Sequence, residues 1–175
     1  MSRVAQQAGG ELITFDAALA IRSGLPNDAI IRFRAPYGFL SNMAACSVEY
    51  DGIEYASVEH AFASATSLDS AYREKICRSL NPVAAKRMAK SANVRPGWNE
   101  MQVDVMLALL RQKFDRDKFR NLLLSTGDVL LVEGNAHGDS FWGMSIDNDG
   151  HLRGENRLGQ LLMTVRKEVR TRREI

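Results

Sequence analysis

The sequence of 175 residues predicts an α+β domain that is predominantly helical and carries a small antiparallel sheet. Segments with the three- and four-residue apolar spacing of helices outnumber segments with the alternation of strands. An Asp-Gly turn between two β-favouring runs predicts a hairpin. Apolar residues make up 45% of the chain and charged residues 25%, a composition typical of globular proteins rather than disordered or fibrous ones.

Three segments predict strands. Residues 29–34 alternate apolar and basic side chains and predict a strand with Arg32 on its basic face. Asp51 and Gly52 separate two short β-favouring runs, and glycine tolerates the positive φ of a tight turn, so a two-stranded hairpin is expected there. Residues 128–133 form a short apolar run and predict a buried strand.

Helical spacing is most regular over residues 99–114, which predicts a helix packed on the core. Ser57 predicts the N-terminal cap of another helix that runs to about Leu68. Glu59 lies in its first turn, where the positive end of the backbone dipole favours a carboxylate. Further helices are predicted over residues 71–80, 82–90 and 115–125, and from Leu158 to near the C-terminus, while residues 15–21 form a short amphipathic segment.

The chain length predicts one domain, residues 29–175, preceded by an N-terminal extension, residues 1–28. Cys46 and Cys77 belong to no CxxC motif and no Cys/His cluster, so we expect no disulfide framework, no metal and no cofactor. The formal charge of +2 gives the chain no strong field for polyanions. Because no signal peptide and no apolar span are apparent, we expect a cytoplasmic protein without a membrane segment.

Three segments concentrate side chains suited to a sugar or a base. In residues 37–42, Asn42 can both donate and accept hydrogen bonds and Phe39 can stack on a base. Glu59 is the second candidate, because a helix N-terminus keeps a carboxylate ionised for a cationic transition state. In the third segment, residues 131–143, a buried strand leads into a Gly-rich loop with polar side chains.

Each segment also has a purely structural interpretation. Asn42 suits a turn, and a first-turn carboxylate such as Glu59 is favourable by itself. Residues 131–143 contain three glycines, which suit a tight turn. We interpret His60 as a packed or capping histidine, because no second ligand or nucleophile lies at a telling spacing.

A longer series of residues occurs in a fixed order between positions 30 and 170: Phe39-Leu-Ser-Asn42, Asp51-Gly52, Ser57-Val-Glu-His-Ala61, Ala85-Lys-Arg87, Arg95, Trp98, Lys113-Phe114, Thr126-Gly127, Glu133-Gly-Asn135, Gly138-Asp139, Phe141-Trp-Gly143, Gly154, Asn156, Leu158-Gly159, Leu162-Met163 and Arg166. In this order the chain resembles the NADAR (YbiA-like) family of N-glycosidase domains. The ordered series carries the resemblance, since no short motif within it is decisive.

The resemblance implies an enzyme that cleaves the bond between a ribose C1 and a nitrogen. The implied substrates are ADP-ribosylated guanosine, free or in nucleic acid, and phosphoribosylamine-type intermediates of riboflavin synthesis, all of which are riboside phosphates. Glu59 is the expected catalytic residue, because a carboxylate stabilises an oxocarbenium-like sugar. The expected substrate-binding residues are Arg32, Phe39, Ser41, Asn42, Lys86, Trp98, Glu133, Asp139, Trp142 and Asn156.

The chain departs from the family pattern at Ala63 and Thr66, where a Gln and a Lys are typical. Both positions share one helix face with Glu59, so the family's lysine would point into the same site. The chain then hydrolyses through water positioned by Glu59, uses another amine such as Lys86, or binds without turnover. The alternative function is therefore a catalytically impaired protein that binds ADP-ribose or NAD.

A third interpretation concerns the basic C-terminus, which could bind nucleic acid, although such a charge run is usually a solvated helix end. Its basic residues are Arg166, Lys167, Arg170, Arg172 and Arg173. His137 stands where the family commonly has a Trp, and this change would alter the pocket wall. The sequence leaves the oligomeric state open.

Overall fold

A computed structural model describes residues 15–173 of the chain. Two units are distinguished: unit 1 comprises residues 1–38 and 126–164, described from residue 15, and unit 2 comprises residues 39–125 and 165–175, described to residue 173. In chain order the described elements are α1 (Phe15–Arg22), a 3-10 turn (Gly38–Leu40), β1 (Val48–Tyr50), β2 (Ile53–Tyr55), α2 (Val58–Ala65), α3 (Ser70–Cys77), α4 (Pro82–Ala89), α5 (Trp98–Asp115), α6 (Asp117–Leu124), β3 (Gly134–Asn135), β4 (Met144–Ile146), β5 (Leu152–Arg153) and α7 (Arg157–Arg173). The predicted fold class, mainly helical with a small antiparallel sheet, is confirmed.

In unit 2, α2 packs against α3, α4, α5 and the β1–β2 hairpin. Its cap is the predicted one, because Ser57 Oγ accepts a hydrogen bond from the His60 N–H at 3.3 Å. The helix is buried on nearly every side, and only Phe62 among its residues is partly exposed. It ends at Ala65, before the predicted Leu68, because the Thr66 hydroxyl donates to the Ala63 carbonyl at 2.7 Å.

The predicted hairpin is confirmed. β1 and β2 pair antiparallel, with Val48 opposite Tyr55. Asp51 and Gly52 both have positive φ, 52° and 74°, which is the backbone of the tight turn that the Asp-Gly pair favours. The hairpin ends at Tyr55, and the capped helix α2 begins at Val58. Glu59 therefore lies only a few residues after the hairpin.

The outer edge of β1 is covered by a side chain of α5 instead of a third strand. Gln112 Nε2 donates to the Glu49 carbonyl at 2.9 Å, and Gln112 Oε1 accepts from the Glu49 N–H at 2.8 Å. The primary amide thereby reproduces the paired bonds of a neighbouring strand, which satisfies an edge that would otherwise stay open.

Two arginines tie the region after α2 to the hairpin. Arg73 is buried; its Nε donates to the Ser67 carbonyl at 2.9 Å and its Nη1 is ion-paired with Asp51. Arg95 Nη1 donates to the Tyr50 hydroxyl at 3.1 Å. The region after α2 is therefore held to the hairpin by hydrogen bonds as well as by packing.

Unit 1 contains α1 and a three-stranded sheet in the order β3–β4–β5, parallel between β3 and β4 and antiparallel between β4 and β5. These short strands are absent from the sequence prediction. The core of this unit joins α1 to the strands through Leu19, Ala20, Ala29, Ile31, Val132 and Leu152. Residues 15–28 of the predicted extension thus pack into this core, and their separation from the domain stays a prediction.

The strands predicted over residues 29–34 and 128–133 are wrong in extent, since they meet only at one parallel bridge between Ile30 and Leu131. A side chain covers the other edge of residues 131–133. Asn156 Nδ2 donates to the Leu131 carbonyl at 2.9 Å, and Asn156 Oδ1 accepts from the Glu133 N–H at 3.0 Å. The Asn156 amide thus takes the place of a neighbouring strand on the edge that faces away from Ile30.

Across residues 15–173, no helix combines the length and the apolar composition that crossing a membrane requires.

We predict that Gly134→Ala destabilises the protein by at least about 2 kcal/mol, because the added Cβ would clash with the Ile31 carbonyl oxygen. Gly38→Ala is the control, since its Cβ meets nothing within 4 Å, and it should change stability by less than about 0.5 kcal/mol. Urea unfolding of both variants measures the difference. Equal stabilities would contradict the close approach at Gly134.

Candidate active site

Glu59 lies in the first turn of α2 and is 8% exposed. Its backbone N–H donates to the Asn42 carbonyl at 3.0 Å. The positive end of a helix dipole favours a carboxylate in the first turn, which is where α2 places Glu59. The residue expected to supply the catalytic carboxylate is therefore hydrogen-bonded, through its backbone N–H, to the segment that carries Ser41 and Asn42.

Asn42 presents an acceptor that the described residues leave open. The residue is 8% exposed, and its Nδ2 donates to Met106 Sδ at 3.4 Å. Its Oδ1 is buried and meets no hydrogen-bond donor among residues 15–173. A buried acceptor without a donor costs about 1–3 kcal/mol, which makes Oδ1 a natural partner for a hydroxyl or N–H of a ligand.

Lys113 places a buried amine next to this segment. Its side chain is fully buried in α5, and Nζ donates to the Ser41 carbonyl at 2.7 Å. Nζ lies 5.1 Å and 5.2 Å from the ring centroids of Phe114 and Phe119. Burial lowers the pKa of Lys113 to about 7, and the nearby Cys46 acts in the opposite direction.

Lys113 is not among the predicted site residues, although its spacing from buried apolar residues in the sequence indicates that it is buried. It lies seven residues after Met106 and three after Leu110, both buried on α5. A lysine on the apolar stripe of an amphipathic helix indicates a buried cation with a specific partner.

The two departures from the family pattern lie at the other end of α2. Thr66 is buried, and its hydroxyl donates to the Ala63 carbonyl and lies 3.3 Å from the Tyr72 hydroxyl. The Tyr72 hydroxyl donates to the same carbonyl at 2.9 Å. Thr66 thus closes the helix end, and neither Ala63 nor Thr66 supplies an amine.

Trp98, the first residue of α5, is also buried in unit 2, with its ring 5.1 Å from that of Phe62 on α2. Phe39 lies in the 3-10 turn and Lys86 on α4, and both are half-buried. His60 is buried and its Nδ1 is hydrogen-bonded to Ser57 Oγ at 2.7 Å, while burial lowers its pKa. These contacts agree with the packed histidine that the sequence indicates.

In unit 1, two amides organise the loop after Leu131. Asn156, with a φ of 52°, joins the backbones of Leu131 and Glu133. Asn135 Oδ1 accepts from the N–H groups of His137 and Asp139 at 3.2 Å and 3.1 Å. The amides of Asn135 and Asn156 are therefore engaged with backbone groups.

The remaining predicted residues of unit 1 have local partners. Asp139 Oδ1 accepts from the Trp142 N–H at 2.9 Å, and the Trp142 ring lies edge-on to Phe141 at 5.1 Å. Arg32 is ion-paired with Asp16 at 3.3 Å. The structure thus connects Glu59 with Asn42 in unit 2, and Glu133 with Asn156 and Asp139 with Trp142 in unit 1.

Within the described range, no three His, Cys, Asp or Glu side chains are grouped so that they could hold a metal ion. Cys46 and Cys77 are free thiols, and burial raises the pKa of Cys46.

Comparison with known proteins gives consistent matches. The model of the NADAR domain matches residues 31–170. N-glycosidase YbiA of Escherichia coli is 38% identical over 148 residues, which cover 81% of this chain and 89% of that protein. An N-glycosidase of Nostoc punctiforme is 33% identical over 141 residues, covering 77% and 87% of the two chains.

A riboflavin biosynthesis protein of Vibrio vulnificus is 32% identical over 162 residues, which cover 90% of this chain and 43% of that protein. The NMR structure of the E. coli protein YbiA superposes with a TM-score of 0.71 at 38% identity, covering 83% of this chain and 88% of that chain. These similarities extend through both units.

We predict that Lys113→Met alters the pH dependence of stability. Between pH 7 and about 10.5 the unfolded chain binds a proton at Lys113 that the folded protein does not, so wild-type stability rises with pH over this window. The stability of Lys113→Met relative to wild type should therefore fall by roughly 3 kcal/mol between pH 7 and pH 10. Urea unfolding across this range measures the difference, and parallel profiles would contradict a lysine with a lowered pKa.

Proposed function

The chain belongs to the NADAR domain family, and from this premise we propose that it hydrolyses the ribose C1–N bond of an ADP-ribose-type or phosphoribosylamine-type substrate. Its relatives named N-glycosidase support the reaction type at the level of the family. The relative named for riboflavin biosynthesis makes phosphoribosylamine-type compounds one substrate class to test, and ADP-ribosylated guanosine is the other.

The observation that carries the proposal is the buried residue Glu59, whose backbone N–H is hydrogen-bonded to Asn42, the residue with an open side-chain acceptor. When the C1–N bond breaks, its electron pair leaves with the nitrogen and positive charge develops on the ribose. A carboxylate held in a buried helix N-terminus stabilises that charge more strongly than one in water. Asn42 Oδ1, on the residue whose carbonyl binds the Glu59 N–H, would accept a hydrogen bond from a ribose hydroxyl.

The replacement of the family's lysine favours attack by water. Thr66 is engaged in closing α2 and offers no amine to C1. In the proposed reaction, water adds its oxygen to C1 and transfers a proton to Glu59, while the departing nitrogen takes up a proton from solvent. The products are a free ribose hydroxyl at C1 and the released base or amine.

In unit 2, we assign Trp98 and Phe39 to contacts with the base or the sugar ring, Ser41 to a hydroxyl and Lys86 to a phosphate. For unit 1 taken by itself, Arg32 is proposed to bind a phosphate, and Asp139 and Trp142 a sugar and a base. The amide of Asn156 already serves Glu133 and Leu131, so we propose that it contributes by holding that backbone.

We predict that wild type releases base from one of the two substrate classes and that Glu59→Gln lowers the rate at least about 100-fold, because the isosteric amide carries no charge. Glu54→Gln, an exposed position in β2, is the matched control and should retain the wild-type rate. Mass spectrometry of released base and free ribose phosphate measures both. ADP-ribose binding without release by wild type, together with release by Thr66→Lys, would instead support the impaired binding protein.

We predict that Asn42→Leu separates stability from binding. The variant removes an unpaired buried acceptor, so its stability should stay within about 1 kcal/mol of wild type or increase. Its Kd for ADP-ribose should rise at least about tenfold, because the hydroxyl loses its acceptor. Thermal unfolding and calorimetric titration test the two effects, and an unchanged Kd would remove Asn42 from the site.

A further inference from the structure

The segment before the hairpin is held at two adjacent residues by one face of α5. Lys113 Nζ donates to the Ser41 carbonyl at 2.7 Å, and Met106 Sδ accepts from Asn42 Nδ2 at 3.4 Å. A neighbouring side chain of α5, Gln112, also binds the backbone of this region, at Glu49, but it does so from the surface. Gln112 is exposed where it pairs with Glu49, so Lys113 is the buried member of this set.

Packing alone does not account for a lysine at this position. An apolar side chain of similar length would fill the same volume without desolvating an amine, and buried charges are often less stable than such replacements. What a lysine adds is a donor at the Ser41 carbonyl, which also accepts from the Ala44 N–H at 3.1 Å. The Ala44 bond lies within the local turn, whereas Lys113 binds the same carbonyl from a different helix and so fixes its position relative to α5.

The effect of that bond extends to the site because a peptide group is planar. The Ser41 carbonyl and the Asn42 N–H belong to one rigid plane, so fixing the carbonyl fixes the Cα of Asn42. Two groups of Asn42 are attached to that Cα. One is the side chain with the open Oδ1, and the other is the carbonyl that accepts from the Glu59 N–H at 3.0 Å. A displacement at Ser41 would therefore move both the proposed hydroxyl acceptor and the start of α2.

We infer that Lys113 is a positioning residue of this site: its bond to the Ser41 carbonyl holds Asn42 and, through Asn42, the end of α2 that carries Glu59. The inference rests on the function proposed above. Lys113 does not act as a nucleophile in place of the family's lysine, because its side chain has no exposed surface and Nζ is engaged.

Amide hydrogen exchange tests the inference without any substrate. Lys113→Met fills the same volume and removes the donor, so the amides of Met43, Ala44 and Glu59 should exchange at least about tenfold faster than in wild type. Gln112→Ala is the matched control from the neighbouring residue of α5. It should speed exchange at Glu49 and leave those three amides unchanged.

A ligand and an activity readout separate positioning from a general loss of stability. In Lys113→Met, the Kd for ADP-ribose should rise about tenfold and kcat/KM should fall about 100-fold, as for a catalytic group displaced by about 1 Å. Leu110→Ala loses a fully buried side chain of the same helix and should destabilise at least as much while leaving the Kd unchanged. Should Lys113→Met not fold, Lys113→Arg, which displaces the donor, provides the same comparison.

Unchanged exchange at Met43, Ala44 and Glu59 in Lys113→Met would overturn the inference, and so would an increase in Kd no larger than in Leu110→Ala. The two proposals fail separately. Base release by wild type with unchanged exchange in Lys113→Met rejects only the positioning role. Faster exchange at the three amides in Lys113→Met, together with a wild type that releases no base, supports the positioning role and rejects the reaction.

Discussion

The position of Glu59 depends on the burial of α2, because a helix enclosed on nearly every side has no freedom to rotate or slide. Enclosure requires that the polar groups on the helix find partners. His60 Nδ1 is hydrogen-bonded to Ser57 Oγ at 2.7 Å, and the Ser64 hydroxyl to that of Tyr55 at 2.5 Å. The first bond closes the N-terminal turn of the helix and the second ties the helix to β2, so Glu59 lies in a turn that is fixed at both levels.

Around α2, backbone groups of unit 2 are repeatedly hydrogen-bonded by side chains, where a neighbouring strand would bind them in a sheet. Gln112 completes the edge of β1, and Lys113 and Arg116 donate to the carbonyls of Ser41 and Ser47. A long helix thus orders an irregular segment whose backbone would otherwise need a sheet or water. This solution leaves Asn42 in a fixed place with one acceptor unused, an arrangement suited to recognising a hydroxyl.

In unit 1, side-chain amides bind the backbone of an irregular segment, and glycines allow its close approach to neighbouring chain. Asn156 and Asn135 bind backbone groups on both sides of the loop that follows Leu131, and Gly134 lets that chain approach the Ile31 carbonyl. The polar residues that indicate a binding loop in the sequence therefore also build the loop. Their structural and functional interpretations are compatible, since a loop held by its own amides keeps Trp142 and Asp139 in place.

The sequence by itself determined the features that depend on neighbours in the chain. Asp51-Gly52 specified the hairpin through positive φ, Ser57 specified the start of α2, and apolar spacing specified the span of α5. The ordered residues specified the family, and with it Glu59, Ser41 and Asn42 as candidates. Tertiary structure alone decided how they are connected. Lys113 finds its partner 72 positions away, and β3 and β5 are two residues long, too short for an alternating pattern to be visible. Lysine is normally a surface residue, so only the folded chain, which removes water from its amine and places a carbonyl against it, shows what this lysine holds.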